Sequence, residues 1–231
     1  MADKRFFGDA LSAYAAGQAA LPMYLELIEM HRGALSGKRC ILESGCGPGL
    51  LAKEFLDAGA EVWAVDVSQE ALDMTRANAG RYRHRLHTYC LDAQHLPFKD
   101  KYFDGVSSML VLPFIDNPHQ YIAEHIRVLK NDGVLAISGP DERAMDVEWM
   151  LGEWKRVLEE TGRMEDIRHE WDSIRTYILD ARSRVKNWLS GDFLSAILSH
   201  DFDMFIEEEK VNPLYFGRGY FIVARRDEVV F

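Results

Sequence analysis

The chain has 231 residues and a formal net charge of −10 at pH 7, with 27 Lys and Arg against 37 Asp and Glu. This acidic balance argues against a nucleic-acid-binding protein, because such proteins need a basic surface to neutralise phosphates. Hydrophobic residues make up 48% of the chain and charged residues 28%. That composition is typical of a globular protein and excludes a disordered chain or a small disulfide scaffold.

The cysteines and the N-terminal sequence indicate the cellular compartment of the protein. The three cysteines, Cys40, Cys46 and Cys90, form neither a CxxC pair nor a zinc pattern with histidine, which favours a reducing compartment and no bound metal. The N-terminus lacks the continuous apolar run of a signal peptide, and no stretch reaches the length of about 18 apolar residues that a membrane span needs. We therefore expect a soluble, cytoplasmic protein with no membrane partner.

The first part of the chain predicts helices followed by a βαβ unit. Leu21, Leu25 and Ile28 have helical spacing, and we expect N-terminal helices within residues 1–37. The next predicted elements are a strand at 39–43, a helix at 50–58 and a strand at 61–66. A strand, a helix and a second strand joined by short loops indicate two parallel strands.

The alternation then continues to about residue 138. Ser68 is a suitable N-cap for a helix that runs to Ala79, and Asn117-Pro118 begins a helix that runs to Lys130. The remaining strands of this part are predicted at 86–91, 103–112 and 133–137. Strands that alternate with helices predict a mostly parallel sheet covered on both faces, which is a doubly wound α/β fold.

The regular alternation of strands and helices ends after Ser138, because the next predicted strand, at 202–208, begins about sixty residues later. The intervening residues, about 140–200, have helical spacing and hold four of the five tryptophans. We interpret them as a helical cap over the carboxyl edge of the sheet, where open α/β sheets bind ligands. A last strand at 219–224 pairs with the strand at 202–208 in an antiparallel hairpin. The whole prediction is one Rossmann-like domain over 1–231, with seven strands.

The strongest chemical signal is the glycine loop at 43–49, Glu-Ser-Gly-Cys-Gly-Pro-Gly, between a predicted strand and helix. Glycines let the backbone turn sharply and let a ligand approach it closely. Glu43 at the strand end would repel a pyrophosphate but suits an ammonium group. Asp66 and Asp92 end the next two strands, where they can accept ribose hydroxyls and an adenine amino group. The three acids together describe an adenosine that carries an amino acid.

With these residues the sequence resembles the class I S-adenosylmethionine-dependent methyltransferases, in particular those that act on small molecules. The matching motifs cover roughly residues 39–139 and the last strand pair. They are E-S-G-C-G-P-G at 43–49, V-D at 65–66, L-D-A at 91–93, L-P-F at 96–98, F-D at 103–104 and R-V-L-K-N-D-G-V-L at 127–135. One departure is Asn131-Asp132-Gly133, where the family usually has Pro-Gly-Gly, and this affects only the local turn.

The resemblance implies S-adenosylmethionine as cofactor, S-adenosylhomocysteine as product, and a set of cofactor contacts. The glycine loop would hold the methionine part, the second strand end the ribose, the third strand end the adenine, and the fourth strand end would face the methyl group. The matching positions are Glu43, Gly45, Cys46, Gly47, Pro48, Gly49 and Leu50, then Asp66 and Val67, then Asp92 and Ala93, and last Ser108 and Met109. Tyr14, with Phe6 and Phe7, would form an aromatic lid, or else belong to a helix packed on the sheet.

The acceptor side of the predicted site is less constrained. His119 and His169 are candidate general bases, which a phenol or amine acceptor would need. The predicted cap contains seven arginines. An inward-facing subset of them would clamp a carboxylate on the acceptor, whereas the interleaved acids favour solvated helix faces. They are Arg143, Arg156, Arg163, Arg168, Arg175, Arg182 and Arg184. The cap tryptophans fit either a core or an aromatic cage.

These observations lead to a methyltransferase that moves the methyl group of S-adenosylmethionine to an O, N or C nucleophile of a small metabolite by in-line displacement. One alternative is a non-catalytic module that binds the same cofactor. Another is a nicotinamide-dependent oxidoreductase, which Glu43 and the G-x-G-x-G spacing disfavour. The oligomeric state and the acceptor are left open.

Overall fold

The computed structural model describes residues 4–226, with side chains from residue 10 onward. Its centre is a seven-stranded sheet with the strand order β3-β2-β1-β4-β5-β7-β6. The strands are β1 (Cys40–Ser44), β2 (Glu61–Asp66), β3 (Leu86–Cys90), β4 (Phe103–Met109), β5 (Leu129–Pro140), β6 (Met204–Val211) and β7 (Gly219–Arg226).

The sheet is mixed but mostly parallel. β1 pairs in parallel with both β2 and β4, and the parallel pairing continues outward to β3 on one side and β5 on the other. β7 inserts between β5 and β6 and is antiparallel to both. The predicted fold class, with its C-terminal antiparallel pair, is therefore confirmed. The chain order reverses between β1 and β4, and ligands of open α/β sheets bind at such a point.

Eight helices longer than one turn flank this sheet within the described residues. They are α1 (Lys4–Ala20), α2 (Pro22–Ala34), α3 (Leu50–Asp57), α4 (Gln69–Asn78), α5 (Pro118–Val128), α6 (Val147–Glu160), α7 (Trp171–Ser183) and α8 (Gly191–Phe202). Ser68 caps α4 by accepting a hydrogen bond from the Ala71 N–H, and Asn117 caps α5 in the same way. A capping side chain satisfies an amide that has no partner inside the helix.

The sheet is covered on both faces. On one face Leu27, Phe55 and Trp154 share a buried cluster with Phe221 of β7. On the other face Tyr121 of α5 and Leu194 of α8 pack with a second cluster of sheet residues. The doubly wound arrangement that the strand and helix alternation predicted is present.

Three element boundaries differ from the prediction. β4 ends at Met109 rather than Leu112, because Leu110 adopts a left-handed backbone with φ 65° that cannot continue a strand. β5 begins at Leu129, earlier than predicted, because Leu129 pairs with Phe103. β6 begins at Met204, because α8 extends to Phe202 and ends at Asp203 in a left-handed conformation.

The helices between β5 and β6 divide between the two faces of the sheet. α7 packs against α1, and α6 joins the same side of the core through Trp154. α8 instead packs against β6 and β7, on the face of the sheet that carries α5. We propose that α1, α6 and α7, rather than the whole stretch 140–200, form the cap. Within residues 4–226, each helix falls short of the length and apolarity needed to cross a membrane.

Candidate active site

The glycine loop between β1 and α3 is built on three left-handed residues. Gly45, Gly47 and Gly49 have φ angles of 68°, 51° and 79°, which side-chain-bearing residues rarely adopt. A Cβ on Gly45 would lie 2.3 Å from a methyl carbon of Val111, and one on Gly49 would lie 2.7 Å from Thr75. A Cβ on Gly47 would meet nothing within 4 Å. The loop is therefore packed on both sides of Gly47 and open at Gly47 itself.

Asp66, at the end of β2, holds this loop against the sheet. One of its carboxylate oxygens accepts a hydrogen bond from the Gly47 N–H at 2.9 Å, and the other accepts one from the Ser68 N–H at 2.9 Å. Burial raises the pKa of Asp66, and these two N–H donors act in the opposite direction. Each carboxylate oxygen has a further lone pair, so the oriented carboxylate retains the capacity to accept two hydroxyl groups.

Glu43 is a buried acid that lacks part of its hydrogen bonding. Its side chain is 3% exposed, and its Oε2 atom has no partner among the described residues. Burial raises the pKa of Glu43 well above its usual range, and the nearby negative charge of Asp66 raises it further. A buried carboxylate without partners is costly, and a cation or donor placed against it would remove that cost. Glu43 thus fits the ammonium group of an amino-acid ligand.

Tyr14 of α1 and Tyr177 of α7 lie over this region. Their rings stack with centroids 4.4 Å apart and planes 26° apart. The charge of Asp66 contributes to the raised pKa of Tyr177, which indicates that the pair lies near the glycine loop. Gln18, one turn after Tyr14, has a buried Oε1 atom with no partner among the described residues. The role of Tyr14 as a lid stays a prediction, and the side chains of Phe6 and Phe7 fall outside the described residues.

The residues predicted to contact adenine lie at the end of β3 and beside Asp66. Asp92 is exposed, and its carboxylate accepts hydrogen bonds from the backbone and side-chain N–H groups of Gln94 at 2.9 and 3.0 Å. Ala93 is buried, and Val67 beside Asp66 is 74% exposed. An exposed apolar side chain next to an oriented carboxylate offers a flat contact for a base. The roles of these residues remain a proposal.

The other loop residues have structural partners of their own. Cys46 is 6% exposed and lies 3.5 Å from the Thr75 hydroxyl. Burial, together with the charges of Glu43 and Asp66, raises the pKa of the Cys46 thiol well above its usual range, so the thiol is a poor nucleophile. The Pro48 carbonyl accepts a hydrogen bond from the Asn78 side chain at 2.8 Å, and Leu50 begins α3.

Ser108 does not present its side chain to the site as predicted. Its hydroxyl is fully buried and lies 2.8 Å from the Tyr121 hydroxyl, which donates to Ser44. Side chains alternate along a strand, so Ser107 faces α2 while Ser108 faces α5. Met109 is half-buried and packs on the α2 side of the core. Leu110 is not among the predicted site residues, but its backbone is left-handed and it lines an apolar cleft. No sequence signal marks it.

An apolar cleft, open to solvent, lies between the cap and the ends of β4 and β5. In the part of the chain that the structure describes, Arg182 is the single charged residue of its lining, and no His, Asp, Glu, Lys or Cys contributes. The lining residues are Tyr14, Leu110, Pro113, Phe114, Pro140, Ala144, Val147, Met150, Trp154, Ile178, Ala181, Arg182, Val185, Trp188 and Tyr215.

Both predicted general bases lie outside this cleft. The side chain of His119 is 59% exposed, lies 3.4 Å from Asp201 and packs on Phe202. The first turn of α5 therefore directs it toward α8. His169 is exposed in the turn before α7. The assignment of His119 and His169 as catalytic residues finds no support in this geometry.

The comparisons with known proteins fit this architecture. Residues 42–137 match a family model described as a methyltransferase domain. Residues 42–137 are therefore a methyltransferase domain of the class I S-adenosylmethionine-dependent type. The predicted resemblance is thereby confirmed, and S-adenosylmethionine is the cofactor of this methyltransferase domain. The nicotinamide alternative loses its basis.

Curated relatives of the methyltransferase domain are O-methyltransferases. A ubiquinone biosynthesis O-methyltransferase of Idiomarina loihiensis is 28% identical over 132 residues, which are 57% of this chain and 53% of the relative. A malonyl-[acyl-carrier protein] O-methyltransferase of Enterobacter lignolyticus is 34% identical over 98 residues, which are 42% of this chain and 38% of the relative. The chain thus spans about half the length of the first of these relatives and less of the second.

Solved methyltransferases share the fold over most of their length. A S-adenosylmethionine-dependent methyltransferase from Mesorhizobium loti superposes with a TM-score of 0.64 at 16% identity, covering 88% of this chain and 98% of that one. A possible histamine N-methyltransferase from Thermotoga maritima does so with a TM-score of 0.64 at 17% identity, covering 96% and 99%. At this level of identity the similarity concerns the fold alone.

Proposed function

We propose that this chain transfers the methyl group of S-adenosylmethionine to an O, N or C nucleophile of a small metabolite bound in the apolar cleft. The observation that carries the proposal is the buried Glu43 carboxylate, whose Oε2 has no partner among the described residues, together with the open backbone of Gly47 in the loop that follows it. An ammonium group fits the Glu43 carboxylate, and a ligand can approach the backbone closely at Gly47. The methyltransferase domain match supports the same cofactor.

The residues at the three strand ends would hold the cofactor. Glu43 would accept hydrogen bonds from its ammonium group, Asp66 from its ribose hydroxyls, and Asp92 from its adenine, with Val67 against the ring. Tyr14 and Gln18 would cover it from α1. When bound, S-adenosylmethionine supplies a methyl group on a positively charged sulfur, and the acceptor nucleophile displaces that sulfur from the methyl carbon in line.

The cleft favours an acceptor that needs no strong base from the protein. Within the described residues, its lining offers no imidazole, carboxylate, amine or thiol. Burial raises the pKa of the Tyr14 and Tyr215 hydroxyls well above their usual range, so both remain neutral and act as donors. The protein's contribution is then to align the acceptor and exclude water. The curated relatives are named as O-methyltransferases, and this supports oxygen as the accepting atom.

The first test is calorimetric titration of the purified chain with S-adenosylmethionine, S-adenosylhomocysteine and NADH. We expect the first two to bind and NADH to give no heat of binding. Binding of NADH alone would overturn the cofactor assignment, and with it the proposed reaction. Release of S-adenosylhomocysteine in the presence of small phenolic, carboxylic and amine acceptors separates an enzyme from a module that only binds the cofactor.

A further inference from the structure

Arg182 differs from the six other arginines between β5 and β6 in the contacts that its guanidinium group makes. Arg143, Arg156, Arg168, Arg175 and Arg184 each pair with a carboxylate, and Arg163 donates to the Ala20 carbonyl. Arg182 has no ion pair with any residue from 10 to 226. Its guanidinium lies 4.7 Å from the centroid of the Trp188 ring, at the wall of the apolar cleft.

We propose that Arg182 binds a carboxylate group of the methyl acceptor, whose remaining body is apolar and flat. The inference rests on the proposed function, because it assigns the substrate class of the same cleft. A guanidinium stacked on an indole is held in one plane and keeps its edge N–H groups free for a bidentate contact with a carboxylate. No acid in the described lining competes for it.

The rest of the wall fits the body of such a molecule. Ile178 and Val185 lie four residues before and three residues after Arg182, on the same face of α7 and its C-terminal end, and the neighbouring Ala181 also lines the cleft. Trp154 is held in the cleft by a hydrogen bond from its Nε1 to the Leu214 carbonyl at 2.9 Å. Apolar and aromatic side chains around a single cation select a hydrophobic monoanion over a cationic or strongly polar acceptor.

The position of Trp188, and with it the plane of the guanidinium, is held by the loop after β4. The Pro113 carbonyl accepts hydrogen bonds from the N–H groups of Lys186 at 2.7 Å and of Asn187 at 3.2 Å, and the Asn187 side chain donates to the Ile115 carbonyl. β4 ends beside the glycine loop. These hydrogen bonds therefore connect the proposed carboxylate site at Arg182 to the edge of the sheet where the cofactor would bind. A carboxylate held there leaves the apolar part of the acceptor directed into the cleft.

The test is calorimetric titration of chain saturated with S-adenosylhomocysteine, using 2-naphthoate and its uncharged analogue 2-naphthamide as probes. Cinnamate and cinnamamide form a second, narrower pair. The variants are Arg182→Gln and the matched control Arg156→Gln, because Arg156 is paired with Glu153 and Glu160 and does not line the cleft. We expect the wild type and R156Q to bind each acid about tenfold or more tightly than its amide. R182Q should lose this preference and bind the amides unchanged.

Three results would overturn the proposal: equal affinity of the wild type for acid and amide, failure of both acids to bind, or equal weakening of acid and amide in R182Q. The last result would mean that Arg182 only supports the wall. Failure of the proposed function is visible separately, as absence of S-adenosylhomocysteine binding to the wild type. In that case the same titrations on the free chain still report whether Arg182 binds a carboxylate.

Discussion

Glu43 is the buried acid of the site, and one of its carboxyl oxygens has no partner among the described residues. Its folded pKa is raised by burial and by Asp66, so the ionised form costs stability as the pH rises above the unfolded value. Glu43→Gln replaces a buried carboxylate by a neutral amide of the same shape. We expect this variant to gain about 1 kcal/mol of unfolding free energy at pH 7 without cofactor, measured by urea denaturation.

The same variant should weaken S-adenosylmethionine binding at least about tenfold, because the ammonium group loses its counter-charge. Glu26→Gln on the exposed face of α2 is the matched control, and it should leave both the affinity and the stability unchanged. Unaltered affinity in Glu43→Gln would contradict the role assigned to Glu43.

Gly47 and Gly80 form a natural pair for testing the loop. Both have φ 51°, and a Cβ on either would meet nothing within 4 Å. Alanine at either position should therefore cost about 1–2 kcal/mol of unfolding free energy from the left-handed backbone alone. Only Gly47→Ala should also lose cofactor affinity, because its methyl group would occupy the open side of the loop. Calorimetry would refute this if both variants bound S-adenosylmethionine equally well.

At the scale of elements, α2 is joined to the sheet by a buried polar network. His31, fully buried in the last turn of α2, lies 2.9 Å from the Ser107 hydroxyl of β4 and 2.8 Å from the Ser138 hydroxyl of β5. Burial lowers the pKa of His31 to about 3. The imidazole is therefore neutral in the folded chain and acts as one donor and one acceptor between two strands.

This network predicts a pH dependence of stability. His31 binds a proton near pH 6.5 when unfolded and near pH 3 when folded, and burial also lowers the pKa of His125, to about 4. Between these values the unfolded chain binds more protons, so the unfolding free energy falls as the pH drops below about 6.5. Urea denaturation at pH 7.5, 6.5 and 5.5 measures the fall.

Two histidine variants test whether His31 causes the pH dependence of the unfolding free energy. His31→Gln should flatten the decrease in unfolding free energy although it lowers stability overall. His84→Gln, which changes an exposed histidine, should leave the decrease unchanged. If His31→Gln lost stability between pH 7.5 and 5.5 as steeply as the wild type, His31 would not be a source of the decrease.

At the scale of the whole molecule, the site is assembled from distant segments. The cofactor region combines the glycine loop, the end of β2, α1 through Tyr14 and α7 through Tyr177. The cap helices pack mainly against one another, whereas the sheet strands are held by continuous ladders. Ligand binding stabilises the elements it contacts more than distant ones.

Hydrogen exchange with and without S-adenosylmethionine tests this coupling. We expect added protection in the glycine loop and in the amides of α1 and α7 around Tyr14 and Tyr177, and little change in β6 at the far edge of the sheet. Uniform protection of the chain would instead indicate only a global gain in stability. Protection of the loop without α1 and α7 would contradict the lid.

Much of the fold and the cofactor half of the site are readable from short stretches of sequence. The apolar runs, the caps at Ser68 and Asn117, and the glycines at 45, 47 and 49 act through neighbours within a few residues. For that reason the parallel strands themselves and the positions of Glu43, Asp66 and Asp92 at the strand ends followed from the pattern, whereas the order of the strands in the sheet did not. No local sequence pattern predicts the left-handed turn at Leu110.

The acceptor half depended on contacts between residues far apart in the chain. Periodicity places an arginine or histidine on a helix but does not say which face meets another element. Packing therefore decided that His119 faces α8, that the hydroxyl of Ser108 faces α5 and that Arg182 alone among the cap arginines reaches the cleft. The sequence by itself determined the fold class and the cofactor type, because their signals are local. The tertiary structure decided the shape and charge of the cleft, because these arise only where distant segments meet.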